Sequence, residues 1–391
     1  MSILFLLRLW PVYGGGETVT ICLANEMIKR GWHVSIAYFK ESMKENLLEI
    51  SPKINSFKIE NVKCDEFFAS KEDAQKVQNS VISYIKAENI DVVVNQWWPS
   101  YYIDRLKVET DTKVVTCLHQ AFYAPILDDK GFKNMVKKQF HFFYEFYKKK
   151  NAVKSVMKYL QYVDKYVFLS PSFQKQFEEF SHFDDMKNKL ASIPNPLVYS
   201  VDLSKDEFSN KENIVLLVGR MLEGQKRITK AIKIWGEIEN DNSLKDWRFY
   251  IVGEGPDLVA YKLLAKQLGL KRISFEGYQN PLSYYKRAKI FLMTSAFEGF
   301  GMTLVEAQQC GVVPVVMDSY LSLHDIIEDG VNGIIVKNDD LSDFVKKLSF
   351  LMHDDNLRIN LAHDGRVLCN KYNVRSVVDM WYNLFKELNL C

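Results

Sequence analysis

Two carboxylates, Glu298 and Glu306, bracket the segment Gly-Phe-Gly-Met-Thr-Leu-Val. An apolar run, IFLMTS (290–295), precedes them, and a predicted helix over about 302–310 follows, ended by Gly311. Gly299 and Gly301, on either side of Phe300, let the backbone approach a ligand closely. The amides of Gly301, Met302, Thr303 and Leu304 would be the unpaired donors of a helix N-terminus, a ready site for a diphosphate. A carboxylate accepts two hydrogen bonds in fixed directions, which suits sugar hydroxyls. A cationic pair accompanies them. Arg220 closes the apolar strand NIVLLVG, and Lys226 opens a predicted helix near 226–239. A guanidinium fork plus an ammonium can neutralise a departing diphosphate. Arg227 follows directly and could share or take over the role of Lys226.

The segment Glu298–Glu306 resembles the E-x7-E motif of the retaining glycosyltransferases of family 4, which have the GT-B fold. The resemblance implies that Glu306 holds a nucleotide ribose and that Glu298 contacts the transferred sugar. It makes Arg220 and Lys226 the diphosphate pair. VGEGP (252–256), with Gly253 and Gly255, is similar to the family's G-x-G-P turn, and Gly277-Tyr278 to its nucleobase turn; a plain β-α turn fits either equally well. Gly14, Gly15 and Gly16, before Glu17, match the family's glycine loop beside the donor phosphates and acceptor. His119, closing KVVTCLH, matches a histidine that contacts the transferred sugar, although Gln120 stands where many members have Asp or Asn. Asn195 is a further candidate.

The implied activity is retaining transfer of a sugar from a nucleoside diphosphate, uridine being the commoner base, to a glycan or lipid-linked glycan. The nucleotide sugar is a co-substrate and no cofactor is expected. The chain has no Asp-x-Asp triplet, so no essential divalent metal is expected. Two rivals are a GT-B nucleotide-sugar epimerase and a non-catalytic nucleotide-sugar-binding protein. The glycine loop departs from the G-x-G-x-x-G fingerprint, and HVSIAYFK ends in Lys40 instead of an acid, which counts against NAD.

The elements that must position these residues alternate. Short apolar runs at 3–7, 33–39, 91–96, 113–119 and 165–170 alternate with amphipathic helical stretches, the first at about 17–30. The pattern restarts at 213–219 and continues through 248–253, 272–277, 290–295, 312–317 and 333–336. This alternation predicts α/β architecture: two Rossmann-like, doubly wound parallel-sheet domains facing across a cleft, the GT-B arrangement. The expected boundaries are 1–195, 196–372, and a helix over 373–391 packing back on the first domain, with a linker in Ile193–Asn210.

Composition sets outer limits. The 391 residues are 47% hydrophobic and 26% charged, which excludes disorder and fibrous folds. A formal net charge of +2 is low for a nucleic-acid binder. Six scattered cysteines without a CxxC pair fit a reducing compartment, argue against zinc, and point to a cytoplasmic protein. SILFLLRLW reads as a buried strand, not a signal peptide. No apolar run suffices for a transmembrane helix. Residues 133–165 carry nine lysines among aromatics, including Phe140, Phe142, Phe143, Tyr144, Phe146, Tyr147, Tyr159 and Tyr162. Two readings stay open: a patch for an anionic membrane surface, or a helical hairpin packing its aromatics inward.

Overall fold

The computed structural model describes every residue except 12–14, 42–47, 61–69, 97, 124–140, 183–185, 200, 202–209 and 391. The chain forms two compact units. One comprises Met1–Tyr123, Phe142–Val198 and Tyr372–Cys391; the other is built on Tyr199–Lys371.

The first unit holds a parallel sheet in the order β5-β3-β1-β6-β7-β8-β9. Its strands are β1 (Ser2–Leu6), β3 (His33–Tyr38), β5 (Asn55–Lys58), β6 (Val92–Asn95), β7 (Lys113–Leu118), β8 (Lys165–Phe168) and β9 (Leu190–Ser192). A small two-stranded pairing joins β2 (Leu9–Trp10) to β4 (Lys40–Glu41). The second unit holds a parallel sheet in the order β12-β11-β10-β13-β14-β15. Its strands are β10 (Glu212–Val218), β11 (Arg248–Val252), β12 (Ile273–Gly277), β13 (Ala288–Met293), β14 (Val313–Asp318) and β15 (Ile334–Lys337). The central strands are apolar on both faces because helices cover both: Ile3–Leu6, Val92–Val94, Val215–Leu216 and Ile290–Leu292 are fully buried. Sequence periodicity missed β5 and β9. β5 is mostly exposed, so it carries no continuous apolar signal.

Each sheet reverses its direction of growth once. In the first unit the chain builds β1, β3, β5 outward and returns to place β6 beside β1. In the second it builds β10, β11, β12 and returns to place β13 beside β10. Such a reversal leaves a crevice beyond the carboxyl ends of the two strands, where ligands of open α/β sheets bind.

Two expectations need correction. The helix expected over 226–239 is two helices, Glu223–Lys226 and Ile228–Glu239, broken at Arg227, whose φ is +49°. The expected linker Ile193–Asn210 begins too early. Ile193 is a core residue and the Leu197 amide donates to the Tyr372 carbonyl at 2.7 Å, so this stretch is packed into the first unit. Residues 200 and 202–209 lie outside the described residues.

The carboxy-terminal helix Val374–Glu387 buries Val377, Val378, Trp381, Leu384 and Phe385, a single stripe at helical spacing. These side chains share a core cluster with Val19, Leu23 and Met27 of the helix Gly15–Lys29. Arg30 ties the two together, with Nη1 2.6 Å from Asp379 Oδ1 and Nη2 donating to the Arg375 carbonyl. Trp381→Ala should therefore destabilise the first unit by about 3–5 kcal/mol. Hydrogen exchange should show faster opening in β1 and β3 and unchanged protection in β10 and β13.

Candidate functional site

The two specific sequence segments follow the two strands at the reversal of the second sheet. Gly219 and Arg220 follow β10; Thr294–Gly301 follows β13. Hydrogen bonds fasten these loops together. The Ala296 amide donates to the Gln225 carbonyl at 2.7 Å, and the Thr294 hydroxyl donates to the Lys226 carbonyl at 2.9 Å.

This fastening brings Lys226 to Glu298. The ammonium lies 2.6 Å from Glu298 Oε1, with side-chain exposures of only 13% and 10%. Gln225 Nε2 reaches the other carboxylate oxygen at 3.5 Å. The Lys226 stem crosses Gly219, where an added Cβ would lie 3.2 Å from Lys226 Cε. Arg220 is exposed, and its guanidinium has no partner among the described residues. Arg227 does not take over from Lys226. Its guanidinium is committed to the Thr294 and Ser295 carbonyls at 2.7 and 2.9 Å, and it pairs with Asp339 at 3.0 Å. These bonds hold the left-handed residue that splits the helix.

The helix after β13 runs Met302–Gln309, with Gly301 at φ +92° before it. The amides of Met302 and Thr303 have no backbone partner among the described residues. The expectation for Leu304 is corrected: its amide donates to the Gly301 carbonyl at 2.9 Å, because the helix opens with a tight first turn. Gly299, Phe300 and Gly301 complete the loop, with Phe300 buried. Glu306 is buried one turn further on. Its Oε2 accepts from the Tyr285 hydroxyl at 3.0 Å, while Oε1 has no protein partner among the described residues. Burial raises its pKa from 4.5 to about 7, against the opposing pull of the Tyr285 hydrogen bond and the Lys226 charge.

Gly253 packs against protein. Its Cβ position would lie 2.0 Å from the Gly219 carbonyl oxygen, and that of Gly255 2.4 Å from the Met221 carbonyl oxygen. These glycines let the turn after β11 lie directly on the turn after β10. Tyr278 is half exposed beyond β12 and follows Gly277, whose φ is +71°.

The first unit carries the remaining candidates. Gly14 lies outside the described residues. Gly15 and Gly16 form the first turn of the helix Gly15–Lys29, and the Gly16 carbonyl accepts from the Thr20 hydroxyl at 2.9 Å. His119 follows β7, and its Nε2 meets the carboxamide oxygen of Gln96, the buried residue after β6. Burial pushes the His119 pKa down to about 4, so the imidazole is neutral at pH 7 and donates from Nε2. Asn195 is buried within this unit. Of the lysine-rich stretch 133–165, residues 133–140 lie outside the described residues, and His141–Leu160 is a helix. Val156 and Leu160 are buried in its second half, whereas Phe143, Phe146 and Tyr147 are 71%, 63% and 61% exposed. Thus, among the described side chains, the fully buried ones lie in the second half of the helix. Among the described residues no His, Cys, Asp and Glu cluster suits a metal, and no helix is long and apolar enough to cross a membrane.

Residues 201–367 match the family model described as Glycosyl transferases group 1, and residues 13–198 match that of Glycosyltransferase Family 4. The chain belongs to the GT-B glycosyltransferases. A Campylobacter jejuni alpha-1,4-N-acetyl-D-galactosaminyltransferase, named for a diphosphoundecaprenol-linked glycan, is 26% identical over 53% of this chain and 57% of its own length. The match thus spans little more than half of that relative. An uncharacterized glycosyltransferase of Haemophilus influenzae is 23% identical over 94% of this chain and 95% of its own. Among solved structures, Anabaena HepE in complex with UDP and glucose superimposes with a TM-score of 0.71, at 17% identity, over 99% of each chain. In this glycosyltransferase no sequence motif marks Tyr285, Gln225 or Gln96, which the fold brings to Glu306, Glu298 and His119.

The raised pKa of Glu306 has a sign that can be measured. The folded value, about 7, lies above the ordinary 4.5. The neutral carboxyl is therefore favoured on folding; that contribution is complete below about 4.5 and is lost as pH rises through about 7. The fold disfavours the ionised form by up to ~3 kcal/mol. Glu306→Gln cannot ionise and keeps an acceptor for Tyr285. It should raise the thermal midpoint at pH 8.5 relative to wild type and leave it nearly unchanged at pH 5, as scanning calorimetry would show.

Proposed function

We propose that this glycosyltransferase is a retaining enzyme of family 4. It moves a sugar from a nucleoside diphosphate, uridine-linked, to a glycan or lipid-linked glycan in surface polysaccharide or glycoconjugate synthesis. The observation that carries this reading is the Lys226–Glu298 pair, at 2.6 Å, beside the amides of Met302 and Thr303 and the Arg220 guanidinium, which have no partner among the described residues. UDP in the HepE structure supports the choice of base, and the diphosphoundecaprenol-linked glycan in the Campylobacter name supports a lipid-linked acceptor.

On this reading the donor diphosphate lies on the amides of Met302 and Thr303, with Gly299, Phe300 and Gly301 shaping the approach. Arg220 and Lys226 neutralise the charge that grows as the sugar departs, which lowers the barrier to an oxocarbenium-like state. Glu298 anchors Lys226 and contacts the sugar; Glu306 accepts from the ribose. Tyr278 and Gly277 lie by the base, and Gly253 supports the turn beneath. Gly15, Gly16 and the neutral His119 are the candidates that the first unit contributes to this reading. The acceptor attacks from the leaving-group side and its proton passes to the departing phosphate. Because Arg220 and Lys226 take up the diphosphate charge, the reaction needs neither a cofactor nor a divalent ion.

Cations that act on growing charge affect turnover more than ground-state binding. Arg220→Ala and Lys226→Ala should each lower kcat by about 10²–10³-fold. Their donor KM should rise far less, and wild-type turnover should survive EDTA. An effect confined to KM would assign both to ground-state binding; loss with EDTA, restored by magnesium, would overturn the metal-free route.

The exposed Phe143, Phe146 and Tyr147 beside Lys148, Lys149 and Lys150 suit peripheral attachment to an anionic membrane. Each lysine near such a surface adds about 1 kcal/mol, screened by salt. The protein should co-sediment with anionic but not neutral liposomes, less so at high salt. Replacing Lys148, Lys149 and Lys150 by Glu should reduce that binding and leave UDP binding intact. Wild type that ignores anionic liposomes at low salt would leave the acceptor soluble or presented by another protein.

A further inference from the structure

We infer that Tyr285 is a positioning residue of the nucleotide site: its hydroxyl fixes one oxygen of Glu306 so that the other is presented to ribose hydroxyls. The inference rests on the donor site proposed above and adds a residue that the motifs did not contain.

Tyr285 lies on the short helix Leu282–Arg287, with its ring fully buried and tilted 50° against Phe291 of β13 at a centroid distance of 6.1 Å. Its hydroxyl donates to Glu306 Oε2 at 3.0 Å. A ring so enclosed has one rotamer, so the hydroxyl is a fixed point. The helix that carries it is fixed in turn. The buried Lys211 ammonium donates to the Tyr285 and Lys286 carbonyls at 2.8 and 3.0 Å, closing the carboxyl end of the helix.

A glutamate otherwise turns freely about its side-chain bonds, and ordering it on binding lowers affinity. Here one oxygen is held before any ligand arrives, and Oε1 has no protein partner among the described residues. The hydroxyl also stabilises the ionised carboxylate against its buried surroundings, which is the form a ribose hydroxyl donates to best. The charged and titratable groups around the pair are Lys226, from the turn after β10, Tyr199, Cys310 one turn along the Glu306 helix, and Lys211. Only the Tyr285 hydroxyl makes a hydrogen bond to the Glu306 carboxylate among the described residues.

The test compares UDP with 2′,3′-dideoxy-UDP by calorimetry across pH 5.5–9. The ratio of their Kd values reports the ribose hydroxyls and cancels diphosphate binding. In wild type the ratio should grow as pH rises through about 7, the Glu306 value. Tyr285→Phe should reduce it about threefold to tenfold at pH 7, and should move its midpoint to higher pH. Incorporating 3,5-difluorotyrosine at 285, a stronger donor of the same shape, should move the midpoint to lower pH and serves if the Phe variant does not fold. A general loss of packing would weaken both ligands equally and leave the ratio alone. A midpoint unmoved by either change, while Glu306→Ala collapses the ratio, overturns the role of Tyr285 and leaves the donor site standing. A ratio indifferent to Glu306→Ala, or wild type that binds neither ligand, overturns the donor-site reading and this inference with it.

Discussion

A lysine and a glutamate from different crossovers meet at 2.6 Å, nearly out of reach of water, and the ligand edge of the second unit is built around them. Gly219 is bare of a side chain where the Lys226 stem crosses it. The Thr294 hydroxyl and Ala296 amide hold the backbone of Lys226 and Gln225. A buried ion pair adds little net stability over an apolar pair of the same shape, but removing one partner leaves a stranded charge at a cost of about 3–5 kcal/mol. Fold stability therefore does not explain why both charges stand here. On the proposed reading a ligand that brings its own charge would, because the ammonium is already largely desolvated by the fold.

The pair is possible because the backbone beneath it takes conformations few residues tolerate. Arg227 adopts φ +49°, a conformation that costs a non-glycine residue of order 1–3 kcal/mol. Its guanidinium offsets that strain with the Thr294 and Ser295 carbonyls and the Asp339 carboxylate. The kink ends one helix at Lys226 and starts another at Ile228, so Lys226 stands at a helix end and its side chain crosses Gly219 to reach Glu298. Gly253 and Gly255 act one turn away by a different means, letting two β-α turns lie backbone to backbone. Glycine is required there both by the positive φ, +138° and +159°, and by the close approach of the Gly219 and Met221 carbonyls.

What sequence could reveal followed from range. The strands of both sheets are continuous apolar runs because they are buried on both faces, so β1, β6, β7, β10, β11, β13 and β14 were legible within a residue or two. β5 and β9 are short edge strands with weak apolar patterns and were not. Glu298, Glu306, Arg220 and Lys226 stood out in sequence by residue type at fixed local spacing, and the fold sets them in or beside the turns after β10 and β13, with Lys226 and Glu298 paired. Arg227 was ambiguous: a basic residue beside another looks the same whether it binds phosphate or two carbonyls some 67 residues away in sequence. Tyr285 was invisible, because its partner lies 21 residues on and a buried tyrosine in a short helix resembles any core residue. Local chemistry shows in sequence; the groups that aim it are chosen by the fold.

Glu306 shows why the aiming matters. A helix that buries a carboxylate with a pKa of about 7 sits, at neutral pH, near the balance between a neutral acid that suits the fold and an anion that suits a ribose. Hydroxyls of a ribose, on the proposed reading, would donate to the anion and replace hydrogen bonds that water supplies in the unfolded chain. On the proposed reading, ribose binding would draw the carboxyl toward its ionised form and release a proton, and by linkage a higher pH would tighten binding until the group is fully ionised. The Tyr285 hydroxyl and the Lys226 charge both shift that balance toward the anion, so two neighbouring side chains set how readily the carboxyl gives up its proton. The carboxyl is thus tuned by burial against one hydrogen bond and one charge: less burial would leave a solvated carboxylate without preorganisation, and more would leave a neutral acid, a weaker acceptor than the anion.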